Sequence, residues 1–245
     1  MIKPDFMALV RSFEEELLDI RRLNYVILTL IPKEADATEM KKFRPIALIN
    51  CSFKIFSKTL NNRLIRIIDR LISPNQTVFI KGRYILESVV AAHEIIHEIA
   101  RKKEAGIVLK LDYEKAYEIV NWDFLVEVLT SRGFSKTWIN WIINLTRGGS
   151  ICVRLNDVNG PYFIVGKGLR QGDPLPPLLF NLVVDVFTKM LTKACTQGLI
   201  SGLLTNVVEG GIVSLQMTQL SFLKMTKTKP TTLNGCWLAL KTSRA

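Results

Sequence analysis

An α+β fold is predicted for this 245-residue chain from three observations. Apolar residues recur at helical spacing in several long segments, and short β-branched runs lie between them. With 48% hydrophobic residues, the chain can bury one large core or two subdomains. The expected arrangement is a short, mostly antiparallel sheet packed on helices.

In chain order, Phe6, Leu9, Val10, Phe13, Leu17 and Ile20 carry helical spacing through residues 6–23, with the acids Glu14 to Glu16 on the other face. Tyr25 to Ile31 and Ile46 to Ile49 read as strands around a polar loop at 33–42. A basic helix is expected over 53–72, ended by Pro74-Asn75, and another over 84–103. Ile107 to Leu111 is a short β-branched strand that ends at Asp112. Residues 122–131 and 135–146 read as helices divided by Gly133. Ile151 to Leu155 and Tyr162 to Val165 form a hairpin over Asn156 to Gly160, and 177–194 is a mostly apolar helix. Beyond Gln216 no apolar period is kept, and residues 217–245 are expected to be poorly ordered.

Thirty-three Lys and Arg against 22 Asp and Glu give a net charge of +11, which suits a polyanionic partner. No stretch reaches the roughly 18 uncharged apolar residues that cross a bilayer, and the start lacks a signal-peptide core. The chain therefore reads as intracellular, nuclear or cytoplasmic, with no membrane association and no evident protein partner. Cys51, Cys152, Cys195 and Cys236 have no paired zinc spacing and read as reduced, mostly buried thiols. His93 and His97 stand four apart on one helix, but without a third ligand they read as surface or packing residues. Trp122, Trp138 and Trp141 read as core.

A carboxylate at the end of an apolar strand, as in Val108-Leu109-Lys110-Leu111-Asp112, is where a metal-dependent phosphoryl transferase places a cation ligand. Taken alone, the pattern equally fits an ordinary strand-end Asp. Its surroundings narrow the choice. Lys110 to Glu118 with Val120-Asn121-Trp122 resembles the first catalytic motif of LINE-type reverse transcriptases, those of non-LTR retrotransposons. Leu30-Ile31-Pro32-Lys33, Phe43 to Asn50, Lys54-Ile55 and Asn62-Arg63-Leu64 are similar to the family's fingers motif. Ile72 to Gln76, Phe79 and Gly82-Arg83-Tyr84-Ile85 are similar to its second motif. Gly168 to Leu175 with Pro177 to Phe180 looks like the template and nucleotide-binding motif. These motifs follow the family's order, and elements of plants resemble them most.

The resemblance implies polymerase-type fingers over residues 1–105 and a partial palm over 106–216, with the thumb absent. The implied reaction is RNA-directed DNA synthesis from dNTPs on an RNA template and DNA primer, with Mg²⁺ as cofactor. Asp112 would ligate both cations, and the backbone at Tyr113 and Glu114 would approach the triphosphate. Tyr117 would lie under the incoming sugar and disfavour a 2′-hydroxyl. Arg44 and Lys54 would neutralise the triphosphate, while Gln171 and Gly172 would let backbone approach nucleotide and template. Lys58, Arg63, Gly82, Arg83 and Arg170 would meet nucleic acid. Each also has a structural reading, as core, surface charge or turn.

Departures from the family pattern bear on activity. Pro176 replaces a usual Ser, and Glu118 a usual Asp. More consequentially, Met217-Thr218-Gln219-Leu220 stands where the family has Tyr-Ala-Asp-Asp, and Glu209 is the last acid in the sequence. Codons for Gln216 to Gln219, read one nucleotide earlier, give Asp or Asn and then Asp, so residues 217–245 read as out of frame. An inactive fragment is therefore expected, its palm strand lacking a hairpin partner. No endonuclease residues precede residue 20. Two alternatives are a nucleic-acid-binding remnant without catalysis and a reverse transcriptase like those of group II intron maturases.

Overall fold

The structure is a computed structural model that describes residues 2–74, 76–103, 106–112, 117–170, 172–197, 199, 212–215 and 218–224. It divides into two compact units that interleave along the chain. The first holds Met1–Ile72, Phe79–Lys81 and Glu114–Val184; the second holds Ser73–Val78, Gly82–Tyr113 and Asp185–Ala245.

In the first unit, helix α1 (Ile2–Glu14) stops well short of the expected residue 23. Three successive glutamates at its C-terminal end oppose the helix dipole. Glu16 turns left-handed at φ 59°, and Leu17 and Leu18 both donate to the Ser12 carbonyl. A short 3₁₀ turn at Ile20–Arg22, capped by Asp19, leads into β1 (Tyr25–Pro32). Strand β2 (Phe43–Ile49) returns antiparallel, with Val26 opposite Ile49 and Pro32 opposite Phe43.

Asn50 caps α2 (Cys51–Leu64) by accepting from the Ser52 N–H at 2.9 Å. The single helix expected over 53–72 breaks after Leu64. Its continuation is β-branched at Ile65, Ile67 and Ile68, residues whose χ1 crowds a helical turn. The backbone tightens there to bonds three residues apart before α3 (Ile68–Leu71).

Helices α5 (Trp122–Ser131) and α6 (Lys136–Thr146) are capped by Asn121 and Ser135. They flank Gly133, whose φ of +80° makes the turn between them. After α6, β4 (Ser150–Leu155) pairs in parallel with β1, Tyr25 opposite Ser150 and Thr29 opposite Arg154. The expected hairpin forms on a tighter turn. Asn156 and Asp157, both at positive φ, connect β4 to β5 (Val158–Asn159), and β6 (Phe163–Ile164) pairs with the other end of β4. Asn and Asp tolerate that left-handed pair of dihedrals, which sequence spacing alone does not fix.

The core of this unit is set by α2, α5, α6 and the first half of α7 (Pro176–Thr196). Phe53, Leu64, Leu125, Leu129, Ile142, Leu179 and Leu182 are fully buried. Pro176 sits at the first position of α7, where a missing N–H costs nothing. Asn24 is buried beside β1, donating to the Arg147 carbonyl at 3.0 Å while its own carbonyl receives the Ser150 N–H. That residue ties the end of α6 to the start of the parallel pair.

The second unit contains α4 (Ile85–Lys102) and a three-stranded antiparallel sheet of β3 (Gly106–Asp112), β7 (Ile212–Leu215) and β8 (Thr218–Lys224). Strand β8 is central, with Asp112 opposite Thr218, Leu109 opposite Ser221 and Ser221 also opposite Ile212. Residues 218–224 thus form the hairpin partner that the sequence pattern denied to β3. Leu220, Ser221, Phe222 and Leu223 supply a short β-compatible run, whatever the frame in which they arose. The remainder of the expected tail, 225–245, lies outside the described residues. No helix among the described residues is long and apolar enough to cross a membrane.

Candidate nucleotide and nucleic-acid site

In the first unit, several of the singled-out residues converge on the turn 168–173. Gly168 has φ +94°, and an added Cβ would come within 2.6 Å of the Glu118 carbonyl oxygen, so no larger residue fits. Its N–H donates to the Val120 carbonyl at 2.8 Å, Leu169 donates to the Tyr117 carbonyl at 2.6 Å, and the Trp122 indole donates to the Gly168 carbonyl. Gly172, at φ +91°, lies against β2, with its Cβ position 3.6 Å from the Ala47 carbonyl oxygen. Asp173 accepts from the Ser57 hydroxyl on α2 and from the Leu175 N–H at 3.3 Å. The turn is therefore joined to the Tyr117 segment, to β2 and to α2.

Around this turn, β2 alternates so that Arg44, Ile46 and Leu48 are exposed. On α2, Phe53, Phe56, Ser57 and Leu60 are buried while Lys54 and Lys58, one turn apart, are exposed. Lys54 is close enough for its charge to act on Asp173. Arg44, Lys54, Tyr117, Arg170 and Gly172 thus all lie on elements that meet at one turn. Gln171, Tyr113 and Glu114 lie outside the described residues.

Several of the singled-out residues have surroundings within the protein that their types alone do not reveal. Tyr117 is only 8% exposed, its ring is 5.1 Å from that of Phe180, and burial raises its hydroxyl pKa. The guanidinium of Arg83 donates to the carbonyls of Ser73 and Gln76, both at 2.7 Å, so it clamps the 73–76 loop. Arg63 holds its guanidinium 6.0 Å from the ring centre of Trp141. Arg170 is half-buried, with its guanidinium carbon over Phe53 at 5.0 Å from the ring centre. Gly82, at φ +86° with nothing near its Cβ position, serves a turn. Cys51 is exposed and Cys152 buried, His93 and His97 are exposed, and Trp138 and Trp141 are half-buried.

Burial holds the Asp173 carboxyl above its ordinary 3.8, against the Ser57 hydroxyl, the Leu175 N–H and the charges of Arg170 and Lys54. A raised folded pKa means that the associated stabilisation is complete below 3.8 and is lost as pH rises through the folded value. The stability of the wild type relative to Asp173→Asn is therefore expected to decline over that rise. Urea unfolding at a series of pH values reads the difference, and a flat or increasing difference contradicts the assignment.

Asp112 is the last residue of β3, in the second unit. Its cross-strand neighbour is Thr218, and Gln219 and Leu220 stand opposite Leu111 and Lys110. A two-cation site needs several carboxylates, and this strand pair contributes one, so the donor set does not fit the pair of Mg²⁺ ions expected from the resemblance. Among the described residues no group of three or more His, Cys, Asp or Glu is placed to hold a metal ion.

The same unit has a cavity of about 340 Å³ lined by Ser73, Pro74, Thr188, Lys189, Thr192, Lys193 and Thr196. Beside it Asp185, fully buried, accepts from the Ser73 N–H at 2.8 Å and lies 3.8 Å from the Lys189 ammonium. Sequence reasoning missed Asp185. Its signal was an acid isolated within the apolar run from Leu178 to Phe187.

Comparison with known proteins identifies the family and the fold. Residues 31–209 match the family model described as reverse transcriptase (RNA-dependent DNA polymerase). The chain is 30% identical to the transposon TX1 uncharacterized 149 kDa protein of Xenopus laevis, over 79% of this chain and 15% of that protein. It is 28% identical to the retrovirus-related Pol polyprotein from type-1 retrotransposable element R2 of Nasonia vitripennis, over 67% of this chain and 16% of that one. The R2DM polyprotein of Drosophila melanogaster matches at 25% over 66% of this chain and 15% of its own length. The chain thus spans about one sixth of the curated relatives it matches. Among solved structures, apo telomerase from Candida tropicalis, truncated from its C-terminal domain, matches with a TM-score of 0.55 at 12% identity. That match covers 88% of this chain and 46% of the other, and it shows the fold. With the motifs in order, the family model matched over most of the chain and a polymerase-like fold, the chain belongs to the reverse transcriptase (RNA-dependent DNA polymerase) family, as a domain fragment of the non-LTR retrotransposon type.

Proposed function

We propose that this chain binds an RNA template and DNA primer through its fingers region, residues 1–105, and a partial palm, 106–216, without polymerising dNTPs. The observation that carries the reading is the convergence of β2, α2 and the Tyr117 segment on the turn 168–173, with Arg44, Lys54 and Lys58 exposed on the first two. Exposed cations on adjoining elements suit phosphate, and the net charge of +11 favours it at long range. Gly172 leaves the backbone uncovered beside β2, as close approach of a nucleotide requires. The catalytic part is incomplete: Asp112 is the carboxylate at the end of β3, and the paired strand offers Thr218, Gln219 and Leu220. Mg²⁺ belongs to the family's chemistry, but with this donor set no step is assigned to it.

Fluorescence anisotropy with an RNA–DNA primer–template across a salt series tests the proposal. Binding is expected to weaken linearly in log–log form as salt rises, and Lys54→Ala and Lys58→Ala should each reduce the slope by about 1. Absent binding, or variants that match the wild type in both affinity and slope, would overturn it.

A further inference from the structure

We propose that Arg170 is a positioning residue, whose guanidinium staples the turn 168–173 to α2 and so fixes where Gly172 meets a bound template, without itself touching nucleic acid. The proposal rests on the template-binding function proposed for the chain and assigns to Arg170 a role other than the phosphate contact that its charge suggests.

The geometry is specific to a planar cation. The guanidinium carbon lies 5.0 Å from the ring centre of Phe53, a fully buried residue of α2. Gly149 lies against the same guanidinium: an added Cβ there would overlap Nη2 and fall 2.8 Å from Cζ. All three of the nearest atoms to that Cβ position belong to Arg170. Gly149 is thus small because the guanidinium occupies the space a side chain would take. A flat group that lies over an aromatic ring and close against bare backbone is a task that Lys, with a compact ammonium, cannot perform.

The electrostatics point the same way. Burial pushes the Arg170 pKa down to about 10, and the charge of Asp173 opposes that shift. Asp173 is itself fastened to Ser57 of α2 and to the Leu175 N–H, so the turn is held to α2 at both Arg170 and Asp173. Nη1 of Arg170 is buried and donates to no acceptor among the described residues. A charge buried at such cost is weak evidence for stability, since an apolar replacement of similar volume often serves the fold as well. What the apolar replacement cannot supply is the orientation of the turn.

The test is primer–template anisotropy across salt for Arg170→Met, Arg170→Lys, Gly149→Ala and the pair Gly149→Ala with Arg170→Met, each checked by near-UV circular dichroism. A phosphate contact predicts that Arg170→Met loses about one unit of salt slope and that Arg170→Lys keeps it. A positioning role predicts that Met and Lys both weaken binding about tenfold with the slope unchanged. Gly149→Ala, which displaces the guanidinium, should do the same, and adding it to Arg170→Met should cost nothing further. A lowered slope in Arg170→Met, full affinity in Arg170→Lys, or additive losses in the pair each overturns the proposal. Should Arg170→Met fail to fold, Gly149→Ala and Arg170→Lys still separate a positioning role from a phosphate contact. If the wild type binds no primer–template, the template-binding function fails; if it binds and all variants match it, the staple alone fails.

Discussion

Given an RNA template, a DNA primer, dNTPs and either Mg²⁺ or Mn²⁺, the purified chain is expected to add no nucleotide above background. Two-metal phosphoryl transfer needs carboxylates on both sides of the cation pair, to hold the ions at working separation and to balance their charge. Asp112 ends β3 with Thr218 as its cross-strand neighbour, and the next two paired positions carry Gln219 and Leu220. No acid follows Glu209 anywhere in the sequence. Metal stabilisation of the transferring group contributes several kcal/mol, and each ~1.4 kcal/mol is tenfold in rate, so the loss amounts to several orders of magnitude. Primer extension on a denaturing gel measures it. Extension by the wild type that disappears in Asp112→Ala would overturn the expectation, because it would show that one carboxylate suffices. Extension that survives Asp112→Ala would mark a contaminating polymerase.

How far the sequence could be read depended on whether a feature was local. The strands at Tyr25–Pro32 and Gly106–Asp112, the helices at 122–131 and 136–146, and the turn glycines 133 and 172 all rest on period or on a required dihedral, both visible in a short window. The parallel pairing of β1 with β4 was not visible, because it joins Tyr25 to Ser150 and parallel strands carry no turn signal of their own. The break between α2 and α3 was missed because apolar spacing continues through Ile65 to Ile68 while β-branching undermines it. Within the site, motif spacing led to the turn 168–173 and to Lys54, but it could not distinguish a guanidinium facing solvent from one lodged over a ring. Arg83 and Arg170 look alike in sequence to Arg44; only the structure shows the first two turned inward on carbonyls and on Phe53. Residues 218–224 are the opposite case. Their departure from the family motif is a fact about chemistry, whereas strand formation needs only β-compatible residues beside an open edge.

Ser221→Pro is expected to destabilise the second unit severely, and it separates an ordered strand from a loose tail in this segment. Ser221 lies in the central strand of the sheet, opposite Leu109 on β3 and opposite Ile212 on β7. Its N–H must serve one of those neighbours, and proline has none to offer. The ring also fixes φ near −65°, far from extended antiparallel backbone, and proline is otherwise confined to edges and bulges. The substitution should therefore unpair β8 from β3, expose the edge of β3 to other chains, and cost on the order of 3 kcal/mol. A lower urea midpoint, faster amide exchange at residues 107–111 and a tendency to aggregate should occur together. Ser221→Thr, which keeps the N–H and adds β-branching, should be neutral or mildly stabilising. If 217–245 were merely an unstructured tail, proline at 221 would change none of these readouts, and exchange at 107–111 would already be fast in the wild type. Equal urea midpoints for Ser221→Pro and wild type would therefore remove β8 from the fold and return β3 to the unpartnered strand that the sequence alone suggests.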